Sequence, residues 1–285
     1  VTTHDTRRTA QDRAEDHAEL ARVRARLLVD PRLDAVERAA LARTSLELSA
    51  HDDMYVHPHA DHYLQVGLSA LRCVEAALVR RTAPRPIERV LDFPCGHGRV
   101  MRHLAARWPG VRLVGVEIVG TGRAFCAAAF GAETFASRPG FVGVDPGRDF
   151  DLAWCGSLAT HVDAAALAAL LDVLCGALAP GGVAVVTTHG ARVAERLEAG
   201  VESYGLCPAD RAAVLAAYRT EGFGYADYQG TSGTLDGGGY GTSLVAPQHF
   251  VERALAGRPW RLLGHAERAW DDHQDVFAFE RFPTP

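Results

Sequence analysis

The chain has 285 residues, 48% of them apolar, and a net charge of −5. That length supports one substantial core with a small subdomain attached, and no apolar run is long enough to cross a bilayer. Arg greatly outnumbers Lys, yet no basic stripe stands out, so nucleic acid is not an expected partner.

In chain order, the first twenty or so residues are polar and charged, unlike a signal peptide. Leu20, Val23, Leu27 and Leu28 then mark the apolar face of a helix that Asp30-Pro31 breaks, and a second helix is expected from Leu33 to Leu48. A His/Asp-rich loop runs from His51 to Asp61. Leu64, Leu68, Leu71, Val74 and Leu78 place a third helix before Thr82-Ala83-Pro84-Arg85-Pro86. Residues 1–82 read as a helical cap region, and residues 83–285 as the main domain.

From there short apolar runs alternate with helices. Strands are predicted at Ile87–Phe93, Val111–Ile118, Ala132–Ser137, Asp151–Cys155 and Val183–Thr188, with helices near Val100–Trp108, Thr121–Phe130 and Ala164–Leu178. This alternation predicts an α/β fold whose parallel sheet is covered on both faces. An insertion at about 191–258 follows strand five. It holds helices near Val193–Leu197, Pro208–Glu221 and Pro247–Ala256, and a Gly/Tyr-rich stretch from Gly222 to Ser243. Aromatic residues among glycines offer stacking area and mobility, so this stretch is read as a substrate lid. Trp260–Trp270 and Val276–Phe282 are joined by a link too short for a crossover helix, so they should pair antiparallel. The six cysteines show no CxxC pair and read as free thiols of a cytoplasmic protein.

The strongest chemical signal is Val90-Leu91-Asp92-Phe93-Pro94-Cys95-Gly96-His97-Gly98-Arg99, which leaves a strand and opens a helix. Gly96 and Gly98 allow a sharp turn and close approach of a ligand to the backbone. The second strand ends at Glu117, an acid placed to accept hydrogen bonds from both hydroxyls of a ribose. Together they point to an adenosine ligand. A dinucleotide needs a third glycine where Met101 stands, and Asp92 suits a cationic amino-acid group better than a phosphate. NAD and FAD are therefore disfavoured.

Asp92–Arg99 resembles motif I, D-x-G-x-G-x-G, of the class I S-adenosylmethionine (SAM)-dependent methyltransferases. Glu117 matches the acid of motif II. Phe150–His161 is similar to motif IV, and Leu178-Ala179-Pro180-Gly181-Gly182 to the lead-in to strand five. The last two strands resemble the family's antiparallel pair. The resemblance runs motif by motif over about residues 87–190 and by pattern alone over 260–282. Pro94 departs from it by standing where the family has glycine, and Ala136-Ser137-Arg138 stands where the family often has an acid for the adenine amine.

The resemblance implies a seven-stranded Rossmann-like sheet with an antiparallel last pair, a helical N-terminal extension and an insertion after strand five. It implies SAM as cofactor and S-adenosylhomocysteine (SAH) as product. Asp92, Phe93, Pro94, Cys95, Gly96, Gly98 and Arg99 would form the cofactor turn, with Asp92 near the amino group and sulfonium and Arg99 on the carboxylate. Glu117 and Ile118 would hold the ribose end, and Ser137 the adenine. Cys155, Gly156 and Ser157 would border the cofactor, and Tyr63 would reach it from the cap. His189, His161 and His273 are the candidate bases, His189 foremost because it ends strand five. Tyr225, Tyr228, Tyr240 and Trp270 are expected on the acceptor side. The runs His57–His62 and Asp271–Asp275 lack a recognised ligand spacing, so no metal is expected. A small-molecule acceptor is favoured, with specialised metabolism as one setting; a homodimer stays open. The alternatives are a SAM-binding fold used for cyclase-like chemistry, and a non-catalytic SAM-binding regulatory protein.

Overall fold

The structure is a computed structural model describing residues 10–82, 84–229 and 239–282. Its elements in order are α1 (Ala10–Leu28), α2 (Ala35–Arg43), α3 (Ala60–Leu78), β1 (Arg89–Asp92), α4 (Met101–Arg107), β2 (Arg112–Glu117), α5 (Gly120–Phe130), β3 (Glu133–Ala136), β4 (Phe150–Cys155), α6 (Ala164–Ala177), β5 (Leu178–Thr188), α7 (Ala191–Glu198), α8 (Pro208–Glu221), β6 (Phe223–Asp227), β7 (Gly241–Val245), α9 (Pro247–Leu255), β8 (Trp260–Trp270) and β9 (Gln274–Arg281).

Seven strands form one sheet in the order β3-β2-β1-β4-β5-β9-β8. The first five run parallel, and β9 pairs antiparallel with both β5 and β8. This is the α/β methyltransferase arrangement that the sequence led us to expect. Successive side chains alternate between the faces. Leu91, Val114, Ala153 and Val186 pack on one side with α6 and α9, while Val90, Leu113, Leu152 and Val185 pack on the other with α3 and α4. The strand order reverses between β1 and β4, which opens a crevice at their carboxyl ends, where open α/β sheets bind ligands.

Two expected elements differ. The second helix ends at Arg43 rather than Leu48, because Thr44 turns to extended backbone (φ −60°, ψ 127°). Its start is fixed by a capping box, in which Asp34 accepts from Glu37 N–H and Glu37 accepts from Asp34 N–H, both at 2.8 Å. The Gly/Tyr-rich stretch contains a strand pair, β6 with β7 in antiparallel register, where only a loop was foreseen. The tip of that stretch, 230–238, lies outside the described residues, as do 1–9 of the cap region. Among the described residues no helix is long and apolar enough to cross a membrane.

The cap helices pack over α4. Arg102, 1% exposed, is the main tie: it donates to Ser45 O (3.0 Å), Glu47 O (2.8 Å) and the Tyr63 hydroxyl (2.9 Å) on the cap side, and to Gly98 O (3.0 Å) in the glycine turn. Arg43 adds a bond to Ala106 O at 2.8 Å. The loop after α2 is thereby drawn over the crevice.

Candidate functional site

A cleft of about 520 Å³ opens at the carboxyl ends of β1, β2 and β4. Its walls are the turn after β1, Glu117–Thr121, Trp154 to His161, the cap loop His51–Met54, Tyr240 and Trp270. A second cavity of about 240 Å³ joins it past Glu117 and Tyr240, lined by Phe93, Pro94, Ile118, Ser137 and Phe141 among others.

The turn is built by its two glycines, in different ways. Gly96 has φ +50°, and an added Cβ would meet nothing within 4 Å, so it presents bare backbone to the cleft. Gly98 has φ +77°, and an added Cβ would lie 2.2 Å from the Phe130 ring. Gly98 therefore makes the turn and packs against α5; it is not on the cleft wall, contrary to expectation. The Phe93–Pro94 peptide at the head of the turn is cis.

Asp92, Glu117 and Arg99 are among the ionisable groups that line the cleft. Asp92 is 1% exposed, and neither carboxylate oxygen has a hydrogen-bond partner among the described residues. Burial, followed by the charge of Glu117, pushes its carboxyl well above the usual carboxylate range, against a weaker opposing pull from the Met101 backbone N–H, which falls short of hydrogen-bond geometry. Glu117 is already braced: one oxygen accepts from Gly96 N–H at 3.0 Å and the other from Val119 N–H at 2.9 Å, each keeping a lone pair for a ligand. The Arg99 guanidinium has no hydrogen bond or ion pair among the described residues, and burial lowers its pKa. An unpartnered carboxylate, an unpartnered guanidinium and a braced acid around an exposed backbone turn suit a ligand with an amino-acid zwitterion at one end and a diol at the other. Ile118 and Ser137 border the adjoining cavity, where a flat base would fit.

At the tip of β4, Gly156 and Ser157 line the cleft, but Cys155 is fully buried in the sheet core and does not. Tyr63 also differs from expectation. Its hydroxyl donates to Asp52 at 2.7 Å and receives Arg102, so it braces the cap loop from behind. Asp52, Asp53 and His97 bring one potential ligand atom each within 4.8 Å of one another. Asp52, however, already accepts from Tyr63 and from Met54 N–H (3.0 Å), and His97 Nε2 lies 3.2 Å from Thr121 Oγ1, so these bonds order the loop.

On the opposite side the histidines separate. His161 lines the cleft and stacks on Tyr240, ring centroids 4.8 Å apart at 28°. Its Nδ1 lies 2.9 Å from Gly241 O, which can only accept; Nδ1 therefore carries the proton and Nε2 the lone pair. The Tyr228 hydroxyl also sits 2.9 Å from Nδ1. Burial lowers the pKa of His161, so the ring is neutral near pH 7. His189, the foremost expected base, is 4% exposed and packed among His161, Tyr204 and His273, off the cleft wall. His273 opens instead on a smaller neighbouring cavity with Arg99, Ser157 and Trp270. Tyr240 and Trp270 line the main cleft, whereas Tyr225 sits on β6 with its hydroxyl on Asp227 at 2.6 Å. Tyr225 is thus turned into its own hairpin rather than toward an acceptor.

Sequence reasoning missed Arg102, Asp52, Asp53 and Trp154. Asp52 and Asp53 belonged to a loop noticed only for its His/Asp content, and Trp154 was read inside a motif as a strand residue.

A family model described as a methyltransferase domain matches residues 27–222. No curated protein matches the chain. Among solved structures, the PH0226 protein of Pyrococcus horikoshii OT3 is 13% identical with a TM-score of 0.52, covering 81% of this chain and 94% of its own. DesVI of Streptomyces venezuelae is 14% identical with a TM-score of 0.50, covering 80% and 100%. DhpI, in a complex with SAH, is 15% identical with a TM-score of 0.50, covering 97% and 100%. At these identities the likeness is one of fold.

Proposed function

Because the chain belongs to the methyltransferase-domain family, we propose that it transfers a methyl group from SAM to a small-molecule acceptor, with His161 as the base on the acceptor side. The observation that carries this reading is a cleft lined by both the buried Asp92 carboxyl and the Arg99 guanidinium, neither hydrogen-bonded to a described residue. Asp92 would meet the cationic end of the cofactor, Arg99 its carboxylate and Glu117 its ribose. The adjoining cavity at Ile118 and Ser137 would take the adenine. When bound, SAM supplies an electrophilic methyl group on a sulfonium.

The chain's own residues then position and deprotonate. Met54 and Tyr240 add apolar and aromatic surface to the cleft lining. The Gly241 carbonyl holds the His161 ring with its Nε2 lone pair free, ready to take a proton from a hydroxyl or ammonium acceptor. Asp53 and Glu117 outnumber Arg99 along the cleft, which disfavours a polyanionic acceptor and supports a small enclosed one.

Incubation with methyl-labelled SAM and a panel of small hydroxyl and amine compounds tests this. Label should appear in a product, and much more slowly with His161→Gln. SAM binding without transfer to any compound would leave a binding protein and sink the enzymatic reading.

A further inference from the structure

Asp92 ends β1 and is in register with Trp154 on β4 and Gly115 on β2. Parallel pairing at one level puts the three on the same face of the sheet. Gly115 contributes no side chain, and an added Cβ there would lie 2.8 Å from the Cys95 sulfur. The large neighbour of the Asp92 carboxylate at this level is therefore the Trp154 indole. Trp270 stands edge-to-face on Trp154, centroids 5.2 Å apart, and is pinned by its Nε1–H to Val66 O at 3.1 Å. Asp92, Trp154 and Trp270 all line the cleft. A buried carboxylate without hydrogen bonds is tolerated when it is neutral or when a ligand brings a cation. Aromatic rings attract a full positive charge more strongly than they attract an uncharged thioether.

We propose that Asp92 and the Trp154–Trp270 pair read the positive charge of the SAM sulfonium, so that this wall distinguishes the methyl donor from its product. This deepens the reading of the cleft as a SAM site and depends on it. SAM and SAH share ammonium, carboxylate, ribose and adenine; they differ by a methyl group and one charge at sulfur. Arg99 and Glu117 cannot sense that difference, whereas this wall can. The titratable groups facing Asp92 are Glu117 from β2, Cys95 from the turn and Cys155 from β4, and none supplies a positive charge. Without a cationic partner Asp92 therefore retains its proton well above the usual carboxylate range. A cationic ligand displaces that proton to solvent, and loss of the charge at sulfur lets it return.

Titration calorimetry of the full chain with SAM and with SAH, in two buffers of different ionisation enthalpy, tests this. SAM binding should release more protons than SAH binding near neutral pH. Asp92→Asn keeps the size and removes the charge; it should lower the SAM-over-SAH affinity ratio about tenfold and abolish the difference in proton release. Trp154→Phe keeps an aromatic ring and should retain more of that ratio than Trp154→Leu. Equal weakening of both ligands by Asp92→Asn would put the carboxylate on the shared ammonium and overturn the inference, as would an unchanged ratio. If the native chain binds neither ligand, the cofactor reading itself fails instead.

Discussion

His161 lies in the loop after β4 and His189 directly follows β5, but of the two only His161 lines the cleft, and this decides which of them can touch an acceptor. His161→Gln should reduce turnover about 10²–10⁴-fold with little change in SAM affinity, because a proton-transfer group acts mainly in the transition state. The native enzyme should lose activity as pH falls through the depressed His161 pKa, below the ordinary histidine value of about 6.5, since the base is then protonated. A pH–rate profile that keeps this acid limb in the variant would remove His161 from the mechanism. His189→Gln should leave the limb in place. Glu117→Ala should weaken SAM binding at least tenfold in calorimetry, because charge-assisted bonds are worth roughly 1.5–3 kcal/mol each. It also releases the Gly96 and Val119 N–H groups, so part of the loss will come from a loosened turn.

The strands that carry the cleft were legible because each is a short continuous apolar run ending in a chemical signal, as β1 ends in Asp92 and β2 in Glu117. The hairpin of β6 and β7 was not legible, because its glycines read as flexibility. They act instead as close approaches: an added Cβ at Gly224 would lie 2.1 Å from Val214 O, and at Gly241 1.9 Å from Ala226 O. The contact between α3 and α4 is equally tight. His103 of α4 is fully buried, both ring nitrogens lack partners among the described residues, and a Cβ on Gly67 of α3 would sit 2.0 Å from its ring. Burial, then the Arg102 charge, lowers the His103 pKa to about 3. The unfolded chain binds this proton below about pH 6.5 and the folded chain does not, so stability should fall as pH drops from about 6.5 toward 3. His103→Leu should flatten this limb in urea unfolding measured at several pH values. Gly67→Ala should cost about 1–3 kcal/mol by overpacking. A native-like acid limb in His103→Leu would assign the pH dependence elsewhere.

At the scale of the whole molecule, the alternation of strands and helices anticipated a parallel sheet covered on both faces, and the family resemblance its seven strands with an antiparallel last pair, whereas the way the cap closes the cleft could not be anticipated. Periodicity shows that α3 needs a partner for Leu64, Leu68 and Leu71, but it does not say that Arg102 will be threaded between cap and turn. Arg102 joins three cap oxygens to the carbonyl of Gly98, so one buried charge links the cap to the cofactor turn. Asp52 and Asp53 reach the cleft on the same segment. Removal of residues 1–60 would take away Ser45, Glu47 and the loop that Tyr63 braces, and would leave the Arg102 guanidinium short of acceptors. Stripping partners from a buried charge typically costs about 3–5 kcal/mol. The truncated chain should therefore unfold at a lower temperature and bind SAM more weakly than the full chain. Arg102→Leu, which removes the charge together with its bonds, should destabilise less than the truncation while still weakening SAM binding through the turn. Thermal unfolding and calorimetry on both variants separate the two effects. A truncated chain with native melting temperature and native SAM affinity would show the cap to be an independent unit rather than a wall of the site.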